Sequence, residues 1–349
     1  SDNNKGDLGI ILATIDMIRE NDTSCDIAAV STYNFSDPDF ASEHVILKQH
    51  VPVLPSVFGE LNIGKCKASS AKLGRFAFDS VRMLLVLMFP VKLKILWRLI
   101  FSKPERETIA ELENSDYIIS KGGSFLCNDP DFRSRIALFR FLCIFLLCFR
   151  LGKKVVILCQ SLGPVHGFFS RKALNYTLSK CHRIVLRENI CLEQYPYLQV
   201  DNSKLDVIND IAFFLNVKEA KLTELSIDES KFNIGMTIKH VEKNKAAPYR
   251  LMMIDAIRHC IDAHGAHIYI FPHVTIENDI DNSLRVYNGL DDNYKSRVII
   301  LSENFSPVDL KALYSKMDIF IGTRLHSTIF SMGELVPSVC ISYHGTKSL

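Results

Sequence analysis

The feature that most constrains this chain is an alternation. Short apolar runs recur, each followed by a loop and then by a stretch with helical spacing. The clearest unit is Asp318 to Phe330. Ile319 to Ile321 reads as a buried strand, the chain turns at Gly322, and a helix is expected from Ser327. In the first half, strands are expected over 26–30, 116–120, 154–159 and 183–186, with helices over 8–19, 104–114, 132–150 and 170–180. In the second half, the strands are 232–238, 267–271, 297–301, 319–321 and 339–342, and the helices 249–264, 282–290 and 307–316. Strand, helix and parallel strand in succession build a sheet covered on both faces. A length of 349 residues suits two such domains. The polar stretch 218–231 reads as their linker. The expectation is α/β, with two Rossmann-like doubly wound domains over residues 1–217 and 218–349 and an interdomain cleft.

Composition narrows the function. A net charge of +2, with no long run of one sign, gives no case for a nucleic-acid partner. Ten cysteines are scattered without a C-x-x-C pair, and most lie in apolar runs. That pattern points to buried reduced thiols in a reducing compartment, not to a disulfide framework or a zinc site. Two segments raise the membrane question. Val81 to Phe101 is apolar and basic, interrupted by Arg82, Lys92, Lys94 and Arg98 and broken by Pro90. Ile136 to Leu151 is apolar with Arg140 and Arg150 inside. Both fall short of the roughly 20 apolar residues of a span. The second reads as a core helix. The first reads either as an interfacial helix on anionic lipid or as a helix packed on the sheet. The start reads as a polar loop, not an export signal. With no strand ahead of the first helix, the chain is expected to begin after its true first strand.

The polar residues at strand ends are the candidate site, because ligands of open α/β sheets bind outside the carboxyl ends of the strands. Arg324 and His326 follow one strand and Arg187 follows another. A guanidinium is a planar fork for carboxylate or phosphate, and an imidazole exchanges protons near neutral pH. An ion pair of Arg187 with Glu188 or a neighbour is the structural alternative. Gly122 and Gly123 end a strand, where they let a backbone pass a ligand or simply make a tight turn. Gln160 opens a polar turn after the next strand, and His273 ends another. Asp7 is placed as the N-cap of the first helix. Asp210 braces the domain junction or, like Asp7, binds sugar hydroxyls. No compact His/Cys/Asp cluster has metal-ligand spacing.

Taken together, the motifs have an order. Asn-x-Gly-Asp at 4–7, Lys-Gly-Gly-Ser at 121–124 and Gln-Ser-Leu-Gly-Pro at 160–164 come first. Leu-Arg-Glu at 186–188, Asn-Asp-Ile-Ala-Phe at 209–213, Gly-Thr-Arg-Leu-His-Ser at 322–327, and Tyr343 with Lys347 follow. From end to end this resembles the polysaccharide pyruvyl transferase family. The resemblance implies two Rossmann-like halves similar to GT-B glycosyltransferases. It implies transfer of the carbon skeleton of phosphoenolpyruvate to a sugar diol, leaving a pyruvate ketal and phosphate. It carries donor binding to Arg187, Arg324 and Leu325, and proton transfer to His326. Asp7, Gly122, Gly123, Gln160, Asp210, His273 and Lys347 become candidates for the acceptor or the cleft. No cofactor is implied beyond phosphoenolpyruvate as co-substrate. The acceptor would be a polysaccharide repeat or a lipid-linked saccharide, with the enzyme cytoplasmic and peripheral at the inner membrane face. Glu188 stands where many relatives have aspartate, and Lys121 where a small residue is common.

Three other readings are open to such a sequence. A GT-B glycosyltransferase would use a nucleotide-sugar and release a nucleoside diphosphate instead of phosphate. A saccharide-binding protein would bind without turnover. A nicotinamide oxidoreductase is disfavoured, because no strand leads into a G-x-G-x-x-G helix start.

Overall fold

The structure, a computed structural model, describes residues 2–37, 39–58, 70–88, 94–218, 220, 227–241, 244–274 and 277–341. It divides into two compact units, Ser24–Asp210 and Ser1–Thr23 with Ile211–Leu349. In Ser24–Asp210, β1 (Ala29–Val30) and β2 (Val53–Leu54) form a small parallel pair. The main sheet holds β3 (Tyr117–Ser120), β5 (Lys154–Leu162), β6 (Arg183–Leu186) and β7 (Leu205–Val207) in that order, with β4 (Gly123–Leu126) also on β5. All these pairings are parallel. β5 is buried over nearly its whole length and lies inside the sheet, paired with β3, β4 and β6. Leu138, Leu142 and Leu147 of the helix Phe132–Arg150 share a core with Leu174 and Leu178 of Phe168–Lys180 and with Val155, Ile157, Ile184 and Leu186 of the sheet.

The arginines that interrupt the two apolar segments point inward. Arg82 donates to Glu105 at 2.8 Å and to the Val57 carbonyl at 2.6 Å, and lies 3.6 Å from Asp79. Arg140 reaches Asp79 at 3.6 Å. The helix Ser70–Met88 still leaves a stripe of Phe78, Val81, Leu84 and Met88 exposed. Among the described residues, no helix is long and apolar enough to cross a membrane.

The second unit carries a parallel sheet in the order β10-β9-β8-β11-β12. Its strands are β8 (Asn233–Met236), β9 (His267–Ile270), β10 (Val298–Ile300), β11 (Ile319–Gly322) and β12 (Ser338–Cys340). The order reverses between β8 and β11, its first and fourth strands in sequence. The helix Lys5–Asn21, expected with the first half, belongs here. Leu8, Ile10, Leu12 and Ile15 are buried, and at Gly9 a side chain would meet Phe330 and Leu215. The turn Ile211–Phe214 belongs here too. Buried Lys311 donates to the carbonyls of Phe213 at 2.6 Å and Leu215 at 2.8 Å. The boundary expected after residue 217 therefore moves to Asp210, and residues 1–23 change sides. Apolar packing and buried polar ties made across long sequence separations decide this, and neither leaves a mark in local sequence.

Candidate active site

The reversal point of the second sheet is stitched by short polar side chains. Thr323 donates from its backbone N–H to Thr237 Oγ1 at 2.8 Å and from Oγ1 to the Thr237 carbonyl at 2.7 Å. Thr237 Oγ1 and Ser327 Oγ lie 3.1 Å apart. The helix Leu325–Gly333 begins two residues earlier than expected. The Arg324 carbonyl accepts from the backbone N–H groups of Ser327 at 3.1 Å and Thr328 at 3.2 Å. Leu325 and His326 thus occupy the first helical positions.

Arg324 does not face open solvent. Its Nε and Nη2 form a fork on Asp279, and Nη1 reaches Glu277 at 2.6 Å. The Asp279 side chain is fully buried, and it also accepts from the backbone N–H groups of His273 at 3.3 Å and Val274 at 2.9 Å. Burial disfavours the Arg324 cation, but Asp279 and Glu277 outweigh it and raise its pKa. Glu277 is the more exposed of the two carboxylates, at 37%.

The N-terminal motif comes to the same place. Asn4 pairs antiparallel with Val274, and Lys5 N–H donates to the His273 carbonyl at 3.4 Å. Gly6 lies against the His326 ring so closely that a Cβ there would stand 2.3 Å from Cγ and Nδ1. Only a residue without a side chain permits that approach. The N-cap is Asn4, not Asp7. Asn4 Oδ1 accepts from Asp7 N–H at 3.3 Å, and Asn4 Nδ2 returns a bond to Asp7 Oδ2 at 3.0 Å. Asp7 is therefore in the third helical position, locked to its own cap. Lys5 is buried and donates to Asn304 at 2.6 Å. Burial lowers its pKa, against the pull of Asp2 and Asp309.

His273 is an interior residue. Its Nδ1 lies 3.3 Å from the Tyr314 hydroxyl, and its ring packs on Phe330. Burial first, then the neighbouring His326, Arg324 and Lys5, push its pKa well below the ordinary value, which leaves a neutral imidazole. Its Nε2 is buried without a hydrogen-bond partner among the described residues. Beside Tyr249, whose hydroxyl accepts from Lys239 N–H at 3.2 Å, opens a cavity of about 180 Å³. Arg250, Asn282 and Arg285 also line it.

In Ser24–Asp210 the expected residues again gather at strand ends. Register shifts on β5 between Ile157 and Gln160, and Cys159 takes a left-handed φ of 49°. The bulge presses on the glycine pair, since a Cβ at Gly122 would lie 2.6 Å from the Cys159 carbonyl. Gly123, at φ 147°, makes the turn into β4. Close backbone packing accounts for Gly122, and the positive φ of the turn accounts for Gly123. Gln160 is fully buried and donates to the Ser161 carbonyl, while its Oε1 has no partner among the described residues. Arg187 donates from Nε to Ser161 Oγ and from Nη1 to Asp210 at 2.8 Å, with Glu188 at 3.3 Å. Asp210 is thus fixed as the partner of Arg187. Lys347 lies outside the described residues.

A family model described as polysaccharide pyruvyl transferase matches residues 4–345. The chain belongs to the polysaccharide pyruvyl transferase family. The amylovoran biosynthesis protein AmsJ of Erwinia amylovora is 25% identical over 248 residues, 67% of this chain and 58% of that protein. This chain therefore spans less than two thirds of that curated relative. The UDP-GlcNAc 2-epimerase of Methanocaldococcus jannaschii matches with TM-score 0.52 and 14% identity, over 95% of this chain and 80% of that one. A glycosyltransferase of Rickettsia africae matches with TM-score 0.50 and 11% identity, over 96% and 75%. These likenesses concern fold, an α/β architecture of two sheet-bearing lobes resembling GT-B proteins.

In this family member, sequence reading named Arg324 and His326 but missed what surrounds them. Asp279 and Glu277 lie about 45 residues upstream of Arg324. Nothing local marked them beyond acidic residues at the start of a helix, where the dipole favours them. Lys5 sits at the variable position of the Asn-x-Gly-Asp motif and gave no signal of burial.

Proposed function

We propose that this chain transfers the pyruvyl group of phosphoenolpyruvate to two hydroxyls of one hexose, in a polysaccharide repeat or a lipid-linked saccharide. The observation that carries the reading is the family match over residues 4–345, which takes in both the Asn-x-Gly-Asp and the Arg-Leu-His motifs. The enol methylene gains a proton, and one sugar hydroxyl adds at the adjacent carbon. The C–O bond to phosphate breaks as the second hydroxyl closes the ketal. Of the two hydroxyl protons, the balance leaves one on the new methyl group and one on phosphate. His326 gives the proton to the methylene and recovers one from an attacking hydroxyl.

The donor anion is assigned to Arg187, Arg324 and Leu325, with one adjustment. A guanidinium held by two carboxylates attracts no third anion, so the donor replaces the exposed Glu277 on Nη1 while buried Asp279 keeps the fork. Arg250 and Arg285, on the cavity beside Tyr249, are further cations for the donor phosphate. Gln160, Asp210, Asp7 and Lys347 remain assigned to the acceptor. His273 and the two glycines support the backbone around the site. The strand order of the second sheet supports the doubly wound reading. The chain is assigned to the cytoplasm, peripheral at the inner membrane face, and the exposed stripe of Ser70–Met88 supports the peripheral contact alone.

The test is phosphate release from phosphoenolpyruvate with a panel of glycans, read together with the mass of the glycan. Acceptor-dependent phosphate with a pyruvate-ketal mass supports the proposal. Release of UDP or GDP from a nucleotide-sugar would replace it with glycosyl transfer. Glycan binding without phosphate release would make the protein a binder.

A further inference from the structure

Three large aromatic side chains protrude at one end of Ser24–Asp210. Phe132 is 76% exposed, Phe168 73% and Phe169 84%. They begin two neighbouring helices, Phe132–Arg150 and Phe168–Lys180, whose leading loops are tied together. Asn128 donates to the His166 carbonyl at 3.1 Å and accepts from His166 N–H at 3.0 Å. Phe168 and Phe169 pack edge to face, with centroids 5.6 Å apart. The Arg135 guanidinium lies along Gly167, within 3.4 Å of where its Cβ would be.

We infer that this tip inserts into an anionic lipid bilayer. Exposed rings of this size are costly in water and settle at a membrane interface. The charge around them is complementary. Arg133, Arg135 and Lys172 are exposed beside the rings, against the carboxylates of Asp129 and Asp131. Arg133, Arg135 and Lys172 form no ion pair among the described residues. Arg171 is turned inward, donating to the Val165 carbonyl at 2.8 Å and stacking on Tyr197. A cationic rim around protruding aromatic rings matches acidic headgroups over an acyl layer. The tip also sits at the working end of its sheet. The loop 163–167 leaves the carboxyl end of β5, where Ser161 meets Arg187. A saccharide on a lipid carrier would arrive at that end. This last link rests on the proposed pyruvyl transfer, whereas the docking itself does not.

The experiment is co-sedimentation with vesicles of phosphatidylcholine alone and of phosphatidylcholine with phosphatidylglycerol. It compares the wild-type chain, Phe168→Ser/Phe169→Ser and Arg135→Gln/Lys172→Gln. The wild type is expected to bind the anionic vesicles and to lose binding with added salt. The aromatic variant is expected to lose about 10- to 100-fold in vesicle affinity, and the charge variant to lose most of the salt dependence. Melting and phosphate release with a soluble glycan should be unchanged in both variants. Wild-type chain that ignores anionic vesicles, or variants that bind as well as wild type, would overturn the docking. A wild-type dimer that the aromatic variant dissolves, without vesicle binding, would assign the face to a second copy instead. If phosphate release is absent from every form, pyruvyl transfer fails while the vesicle result stands on its own.

Discussion

At Gly6 the bare hydrogen of glycine leaves the His326 ring its place. Gly6→Ala would place a methyl 2.3 Å from the His326 ring, so the ring must move. The expected cost is about 1–3 kcal/mol of stability with loss of most turnover, read by melting and phosphate release on one preparation. His326→Ala should lose a factor of about 10² to 10⁴ in rate while donor affinity and melting hold. Near-normal turnover in that folded variant would remove the catalytic assignment. Glu277→Gln separates the two readings of Arg324. If the donor displaces Glu277, neutralising it should tighten phosphoenolpyruvate binding severalfold by titration. Unchanged affinity would leave Arg324 as a brace between a strand end and the helix Asp279–Tyr287. Arg324 and His326 were legible because both follow a strand end. Their partners come from Asn4 to Gly6 and from Glu277 to Asp279, segments brought near only by the fold.

Among elements, the buried network joining Ser70–Met88, Lys103–Asn114 and Phe132–Arg150 was the least legible. Arg82 and Arg140 read as interruptions of apolar segments, yet they pair inward with Asp79 and Glu105. Burial raises the Glu105 pKa, but Arg82, the Ser102 backbone and Asn34 together bring it below the ordinary 4.5. A carboxyl depressed by folding adds stability above its unfolded value, and that contribution is lost as pH falls through the folded one. Melting followed downward from pH about 5 should therefore drop less steeply for Glu105→Gln than for wild type. Glu105→Ala should cost about 3–5 kcal/mol at neutral pH, because Arg82 stays buried with only the more distant Asp79 as its counter-charge. A loss below about 1 kcal/mol in urea unfolding would mean that water reaches Arg82. Strand–helix alternation itself was readable, since apolar strands under helices leave a period that pairing partners do not.

At the scale of the whole chain, the two units differ in how they are threaded. Ser24–Asp210 is continuous and has its own core, so it should fold when expressed alone, with a single cooperative urea transition. An expanded chain lacking that transition would show that its core needs the other unit. The remainder is discontinuous. Residues 5–21 are joined in space to Leu215 and Phe330, and the whole of Ser24–Asp210 lies between them in sequence. That threading has a consequence on the ribosome. The helix is made before Ser24–Asp210 and its partners after it, at about 5–20 residues per second, so it waits tens of seconds with an apolar face uncovered. Nascent chains stalled before Phe330 should be cut by protease within residues 5–21, and released full-length chains should not be. The segment that brings Gly6 to the His326 ring thus stays uncovered until the chain beyond Ser24–Asp210 has been made.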